Sequence, residues 1–319
     1  MKLCAACHLD LPKDKFSKKQ WKLDERRCKV CVADNREVQP LPPSPPTNNN
    51  KRSTNNNKPN DGGIDRLLES MSINDKEMIP PSDEVLFKQP PTEDCPICFI
   101  RMPSLHTGRK YQVCCGKSIC VGCMHADALR CHEQLCPFCR FPAPLEEGLL
   151  EMCKKRVELD DPQAIYSLGV WYGSGMHGLS QDFTNSLRLW HRAGELGSAD
   201  AYHNLGLAYM IGRDVERDSK KAMHYWELAA MGGDAMTRYN LGTIEQNKGN
   251  VDRAVKHYMI SIRGGYIQSL ETNKELFMKG YATKKDYSNA LQARQAYLDE
   301  IRSDQRDKAA AVHEMYTYY

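Results

Sequence analysis

CPICFIRMPSLHTGRKYQVCCGKSICVGCMHADALRCHEQLCPFC, residues Cys95 to Cys139, places eight of its cysteines in four pairs: Cys95-x-x-Cys98, Cys114-Cys115, Cys120-x-x-Cys123 and Cys136-x-x-Cys139. Zinc takes four tetrahedral sulfur or nitrogen ligands, and a Cys-x-x-Cys knuckle holds two thiolates at one corner of such a site with little strain. Two knuckles would make one ribbon-type site. Four pairs in 45 residues read as a two-zinc framework.

The gaps between the pairs are fifteen, four and twelve residues, and the outer knuckles read CPIC and CPFC. This arrangement resembles the cross-braced RING finger. The resemblance implies that pairs one and three share one metal and pairs two and four the other. Two positions after Cys115, where most RINGs carry a histidine ligand, stands Lys117, a cation with no lone pair to offer at neutral pH. Cys114 is the nearest replacement, which makes the stretch similar to the all-cysteine RING subclass, where the CG-x-x-IC sequence of residues 115–120 is also found. Cys131, His132 and His125 are the alternatives, and Cys114 also reads as a small buried hydrophobe. The resemblance further implies a shallow apolar groove for a ubiquitin-conjugating enzyme. Its matching positions are Ile97 and Pro137, with Leu129 on the intervening helix, and Arg140 stands where active RINGs hold a cation bridging donor ubiquitin and conjugating enzyme. Each has a plainer reading: Ile97 and Pro137 as loop packing, Arg140 as a solvated cation.

A second cysteine set opens the chain, Cys4-x-x-Cys7 and Cys28-x-x-Cys31, twenty residues apart. It reads as one zinc ribbon or LIM-like knuckle over residues 1–37, too short to fold without metal, with Phe16 and Trp21 as its miniature core. Three zinc ions are therefore expected. Nine Lys or Arg stand against four Asp or Glu in residues 1–31. Lys18, Lys19, Lys22, Arg26, Arg27 and Lys29 suit a nucleic-acid face with Trp21 as a stacking platform. A solvated basic face on a protein-binding knuckle is the plainer reading, because no arginine-rich groove motif accompanies them.

The 319 residues carry fourteen cysteines and a net charge of +3, with no signal peptide or apolar span of transmembrane length. Thiols in this pattern serve metals in a reducing compartment, so cytoplasm or nucleus is expected, with no membrane partner. Residues 38–91 read as a Pro/Asn-rich unstructured linker. Ile64, Leu67, Leu68 and Met71 recur at helical spacing within it and predict a short amphipathic helix near 64–72.

From residue 157 the chain repeats itself. Leu168-Gly169, Leu205-Gly206 and Leu241-Gly242 are spaced by 37 and 36 residues. Each unit then carries an aromatic, a small residue three positions later and a glycine seven positions later: Trp190, Ala193, Gly197; Trp226, Ala229, Gly233; Tyr258, Ser261, Gly265. Small residues let two helices approach closely, the aromatic is expected to fill the space between neighbouring hairpins, and the final glycine ends the second helix. With A-x-x-x-LG and the KA-x-x-x-W-x-x-AA stretch of Lys221–Ala230, the region resembles the Sel-one-like repeat, a relative of the tetratricopeptide repeat. The pattern weakens at Asn273, which stands where leucine is expected, and the third unit lacks about four loop residues. Residues 303–319 read as a helix extension fraying into an aromatic tail.

The expected architecture is multidomain: small zinc-stabilised α+β modules, a knuckle at 1–37 and a RING-type finger at 92–145, followed by an all-α helical-repeat solenoid at 157–302. The sequence holds no Walker motif, nucleophile elbow or HExxH helix. Zinc saturated by four thiolates has no open position for water, so it is a scaffold rather than a hydrolytic centre. Three functions fit: a RING-type ubiquitin ligase gathering substrate on its repeats, a non-catalytic scaffold for protein complexes, and a nucleic-acid-associated factor acting through the N-terminal knuckle.

Overall fold

The computed structural model describes residues 2–3, 10–11, 79–104, 106–130, 135–143 and 146–319. They belong to two compact units, residues 1–59 and 60–319. In the first, β1 (Lys2–Leu3) pairs antiparallel with β2 (Asp10–Leu11). Cys4, Cys7, Cys28 and Cys31, the basic residues around Trp21 and the stretch near 64–72 lie outside the described residues.

The second unit is built mainly of helices. After α1 (Asp83–Leu86), α2 (Val121–Arg130) and α3 (Glu146–Val157) come four hairpins: α4 (Pro162–Ser174) with α5 (Phe183–Glu195), α6 (Ala199–Ile211) with α7 (Ser219–Met231), α8 (Ala235–Asn247) with α9 (Val251–Arg263), and α10 (Ile267–Met278) with α11 (Lys284–Ile301). A last helix, α12, spans Asp304–Val312. Short polar side chains set the starts. Asp161, Asp182, Ser198, Asp218 and Asp234 each accept a hydrogen bond from backbone N–H groups of the turn that follows. Each such cap contributes about 1 kcal/mol. The ends of α5, α7 and α9 share one motif: Gly197, Gly233 and Gly265 adopt φ of 98°, 105° and 95°. The N–H of the next residue then reaches back to Ala193, Ala229 or Ser261 at 2.9, 3.1 and 3.1 Å.

The aromatic of each repeat sits elsewhere than expected. A Cβ on Gly169, Gly206 or Gly242 would lie 2.8, 2.2 or 2.7 Å from the ring of Trp190, Trp226 or Tyr258. Each ring therefore fills a slot inside its own hairpin, one that exists because the facing residue has no side chain. The neighbouring hairpin closes the far side, as Leu241 does for the cluster around Trp226. The α8–α9 connection, Lys248 to Asn250, is shorter than the α6–α7 connection, Gly212 to Asp218, as the sequence spacing requires. In α10, Asn273 takes the place that Leu168, Leu205 and Leu241 hold in α4, α6 and α8. It is fully buried, and neither atom of its amide has a hydrogen-bond partner among the described residues.

Two segments depart from the sequence reading. The end of the expected linker is bound to the hairpins: Leu86 is 2% exposed, and its carbonyl accepts a 2.6 Å hydrogen bond from Arg238 of α8. The cause is Arg238 itself, a buried guanidinium that needs acceptors and finds them in Leu86 and, at 2.7 Å, Ala230. Residues 303–319 do not extend α11. Arg302 turns the chain in an extended conformation, and α12 begins anew with Ser303 as its cap. Arg306 is fully buried and donates to the carbonyls of Arg101 and Ile100 at 2.7 and 3.3 Å, while Tyr318, 2% exposed, donates to Asp307. Gly122 at the start of α2 leaves room for this helix, since a Cβ there would meet Arg306 at 2.7 Å.

The cysteine-rich segment shares this unit with the hairpins at both ends of their array. Tyr111 donates to Asp161 at 2.7 Å, and Arg156 of α3 donates to the Val113 carbonyl at 3.3 Å. At the other end Arg101 pairs with Glu300 of α11, and the Ser104 N–H donates to the Tyr297 hydroxyl at 3.0 Å.

Trp226→Ala is expected to cost about 3–5 kcal/mol as a large-to-small core change. Gly206→Ala is expected to cost about 1–3 kcal/mol by overpacking against Trp226, although alanine in an open helix would gain about 1 kcal/mol over glycine. Urea denaturation of the two variants checks both; a stabilising Gly206→Ala would mean that the ring is not seated there. Asn273→Leu should raise stability by about 1–3 kcal/mol, the cost of an unpaired buried amide. An unchanged denaturation midpoint would place a partner on that amide.

Candidate metal centre

The two outer knuckles are built alike. In the first, the Phe99 N–H donates to the Cys95 carbonyl at 2.9 Å and the Cys95 N–H to the Ile100 carbonyl at 3.0 Å. In the second, Arg140 donates to Cys136 at 2.9 Å and Cys136 to Phe141 at 2.8 Å. Phe99 and Arg140 take φ of 56° and 61°, the left-handed turn that folds each knuckle back on itself. Between them, β3 (Arg109–Gln112) pairs antiparallel with β4 (Lys117–Cys120). The connecting turn carries Cys114 and Cys115 with Gly116 at φ 69°. Cys120 ends β4, and Cys123 lies in the first turn of α2.

This path crosses the pairs. Cys95, Cys98, Cys120 and Cys123 gather in one cluster and Cys114, Cys115, Cys136 and Cys139 in another, the Sγ atoms of each lying within 4.8 Å of one another. Cys95–Cys123 and Cys98–Cys120 are separated by 3.9 and 3.8 Å, Cys115–Cys136 by 3.9 Å and Cys114–Cys139 by 3.4 Å. A tetrahedron with Zn–S bonds of about 2.3 Å has S–S edges of about 3.8 Å, so both sets fit one zinc ion each. A disulfide would require about 2.05 Å, and all eight cysteines are free. Among the described residues, Cys114 stands as the fourth member of the second set. His125 packs near Tyr316 instead, Lys117 is exposed on β4, and Cys131 and His132 lie outside the described residues. Burial pushes the Cys115 thiol up to about 11 and raises that of Cys114 as well. A cation entering the second site must therefore displace protons, and its hold weakens as pH falls. Cys153, outside both sets, is a core residue whose thiol burial pushes up to about 12.

Of the residues read as a conjugating-enzyme surface, Ile97 is half-buried against the first cluster, Pro137 is half-buried, and Leu129 is 69% exposed at the end of α2. Arg140 is not a free cation: it donates to both carboxylate oxygens of Asp127 at 2.7 and 2.9 Å, tying the last knuckle to α2. Sequence reasoning passed over Phe99, Phe138 and Phe141, which stand exposed on the same two knuckles. The signal was their place beside the ligands, where a large apolar side chain has no interior to enter. It also passed over the surroundings of the first cluster, where Arg306 Nη2 lies 3.9 Å from Cys98 Sγ and Gln305 Oε1 3.7 Å from Cys123 Sγ. A guanidinium there offsets the negative charge of a four-thiolate site.

The Sel1 repeat family model matches residues 162–198 and 199–234. These two hairpins are Sel1 repeats. Such repeats imply protein–protein interaction. No RING or zinc-finger family model matches the cysteine-rich stretch. A curated relative, the ERAD-associated E3 ubiquitin-protein ligase component HRD3B of Arabidopsis thaliana, is 27% identical over 113 residues, which are 35% of this chain and 18% of that protein. The chain thus spans less than a fifth of the relative's length. Among solved structures, a Sel1 repeat protein from Oxalobacter formigenes is similar over 60% of this chain and 71% of its own, at 22% identity and a TM-score of 0.40. The protective antigen c5321 of uropathogenic Escherichia coli, with an SLR fold, is similar over 51% and 36%, at 24% identity and a TM-score of 0.40. No helix among the described residues is long and apolar enough to cross a membrane.

Cys114→Ser is expected to lose about one zinc equivalent and to loosen the cysteine module, since a structural zinc site contributes about 10–16 kcal/mol of binding. Elemental analysis with thermal denaturation checks this. Unchanged zinc content would move the fourth ligand to His125, Cys131 or His132.

Proposed function

We propose that the chain is a RING-type ubiquitin ligase that recruits a conjugating enzyme through the cysteine module and gathers protein substrate on its Sel1 repeats. The observation that carries this reading is the crossing of the cysteine pairs, one with three and two with four, which the resemblance to RING fingers called for. The name of the Arabidopsis relative, a ligase component, points the same way. Two zinc ions hold the module, and Cys4, Cys7, Cys28 and Cys31 take a third. A reducing compartment, cytoplasm or nucleus, suits this thiol usage.

On this reading the protein forms no covalent intermediate. Ile97, Pro137 and Leu129 present the apolar surface that the conjugating enzyme docks on, joined by the exposed Phe99 and Phe138. A substrate lysine attacks the thioester carried by that enzyme, and the chain contributes orientation and proximity. Arg140 leaves Asp127 to meet donor ubiquitin, a small cost for an ion pair whose arginine side chain is 43% exposed. The same pairing favours a second reading, a zinc-held scaffold in which Arg140 only braces the last knuckle. The nucleic-acid reading rests on the N-terminal basic cluster alone, and salt-dependent binding to RNA or DNA tests it.

Autoubiquitination with a panel of conjugating enzymes separates ligase from scaffold. Ile97→Ala should abolish chain formation while zinc content and fold persist, because an apolar contact is removed without touching a ligand. Arg140→Ala should slow thioester discharge more than it weakens recruitment. A fully metallated wild type that discharges no conjugating enzyme in the panel sinks the ligase reading and leaves the scaffold.

A further inference from the structure

Residues 83–87 lie on the hairpins as a bound peptide does. Asp83 pairs with Arg253 of α9, whose Nε is held by Glu245 at 3.2 Å. Leu86 is buried, and its carbonyl is taken by Arg238. The Phe87 ring packs against His257 with centroids 4.7 Å apart, and the cations of Arg253 and Lys256 stand 5.2 and 5.4 Å from its centre. Burial, with Arg238 and Arg253 beside it, holds His257 down at about 3, so it meets the ring as a neutral imidazole. Glu84 and Val85 face solvent. The contacts thus read Asp, Leu and Phe and leave the two residues between unread.

The seat is incompletely used. Arg238 Nε and His257 Nδ1 are buried and have no hydrogen-bond partner among the described residues. A tethered segment enjoys an effective concentration of order mM, so it stays seated with weak intrinsic affinity and yields to a better ligand. We propose that the groove formed by α7, α8 and α9 recognises a short linear peptide of the form acidic-x-x-Leu-Phe on a partner protein, and that residues 83–87 occupy it as a built-in competitor. The three cations around the groove match an acidic, aromatic-ended peptide in charge and in cation–π geometry. This goes beyond the ligase reading and does not rest on it: the site binds its peptide whether or not the cysteine module recruits a conjugating enzyme.

The probe is a fluorescein-labelled heptapeptide of residues 82–88, Ser-Asp-Glu-Val-Leu-Phe-Lys, titrated by anisotropy against the full zinc-loaded chain. Phe87→Ala in the chain removes a half-buried ring and is expected to open the seat, so that the peptide binds this variant at least tenfold more tightly than wild type. Adding Arg253→Glu, at a partly exposed position, is expected to weaken binding at least tenfold, and a peptide carrying Asp83→Lys should restore it. Independently of any variant, excess peptide should raise amide hydrogen exchange of residues 82–91 in the wild-type chain. Equal affinity for wild type and Phe87→Ala, binding indifferent to Arg253→Glu, or unchanged exchange of the segment would each overturn the proposal and leave the segment a fixed brace.

Discussion

The close approach of a glycine and an aromatic ring inside each of the first three hairpins is the constraint on which the rest of the second unit depends. A side chain at Gly169, Gly206 or Gly242 would collide with the ring it faces, so the ring or the paired helix would have to shift. The turns at Gly197, Gly233 and Gly265 border one cavity of about 840 Å³. The cysteine module faces them across it, with Arg101 and Arg109 opposite Asp161, Asp200 and Asp234. The surface nearest the module is therefore set by the repeat packing and not by the cysteines.

Buried guanidinium groups then fasten remote segments to this frame. Arg238 and Arg306 are among the largest fully buried side chains, and each donates to a nearby carbonyl oxygen and to one in a segment more than 150 residues away. Burying a cation is costly unless its donors are met, and backbone carbonyls in a fixed loop meet them without further loss of side-chain freedom. Burial lowers Arg238 to about 10, which still leaves it charged at neutral pH. The Nε of each arginine lacks a partner among the described residues.

The cysteine clusters were legible because ligand spacing is a local property. A Cys-x-x-Cys turn brings two sulfurs together whatever surrounds it, and the resemblance of three such turns and the Cys114-Cys115 pair to a RING finger implied the crossing of Cys95–Cys98 with Cys120–Cys123. The helix stops at Gly197 and Gly233 were legible for the same reason, since these glycines adopt an angle that other residues resist; the caps Asp161, Ser198 and Asp234 are as local, bonding to N–H groups within three residues of themselves. The roles of Arg140 and Cys114 were only half legible. Spacing put Cys114, and the resemblance put Arg140, beside the candidate metal site, but the Asp127 carboxylate that takes up Arg140 lies on a different element, and the nearness of Cys114 to Cys139 depends on how the β3–β4 turn is laid against the second knuckle.

By itself the sequence determined the periods: four cysteine pairs able to hold two metal ions, hairpins repeating every 36 or 37 residues, and a weakening at Asn273. Each of these is written in residue types at short, countable separations. Only the tertiary structure decided that Trp226 sits within its hairpin, that residues 83–91 are bound rather than free, and that α12 turns back onto α2 with Arg306 beside Cys98. Those outcomes depend on which buried donor finds which distant acceptor. Desolvation decides such a pairing over the whole folded surface, and a linear pattern of residue types does not carry it.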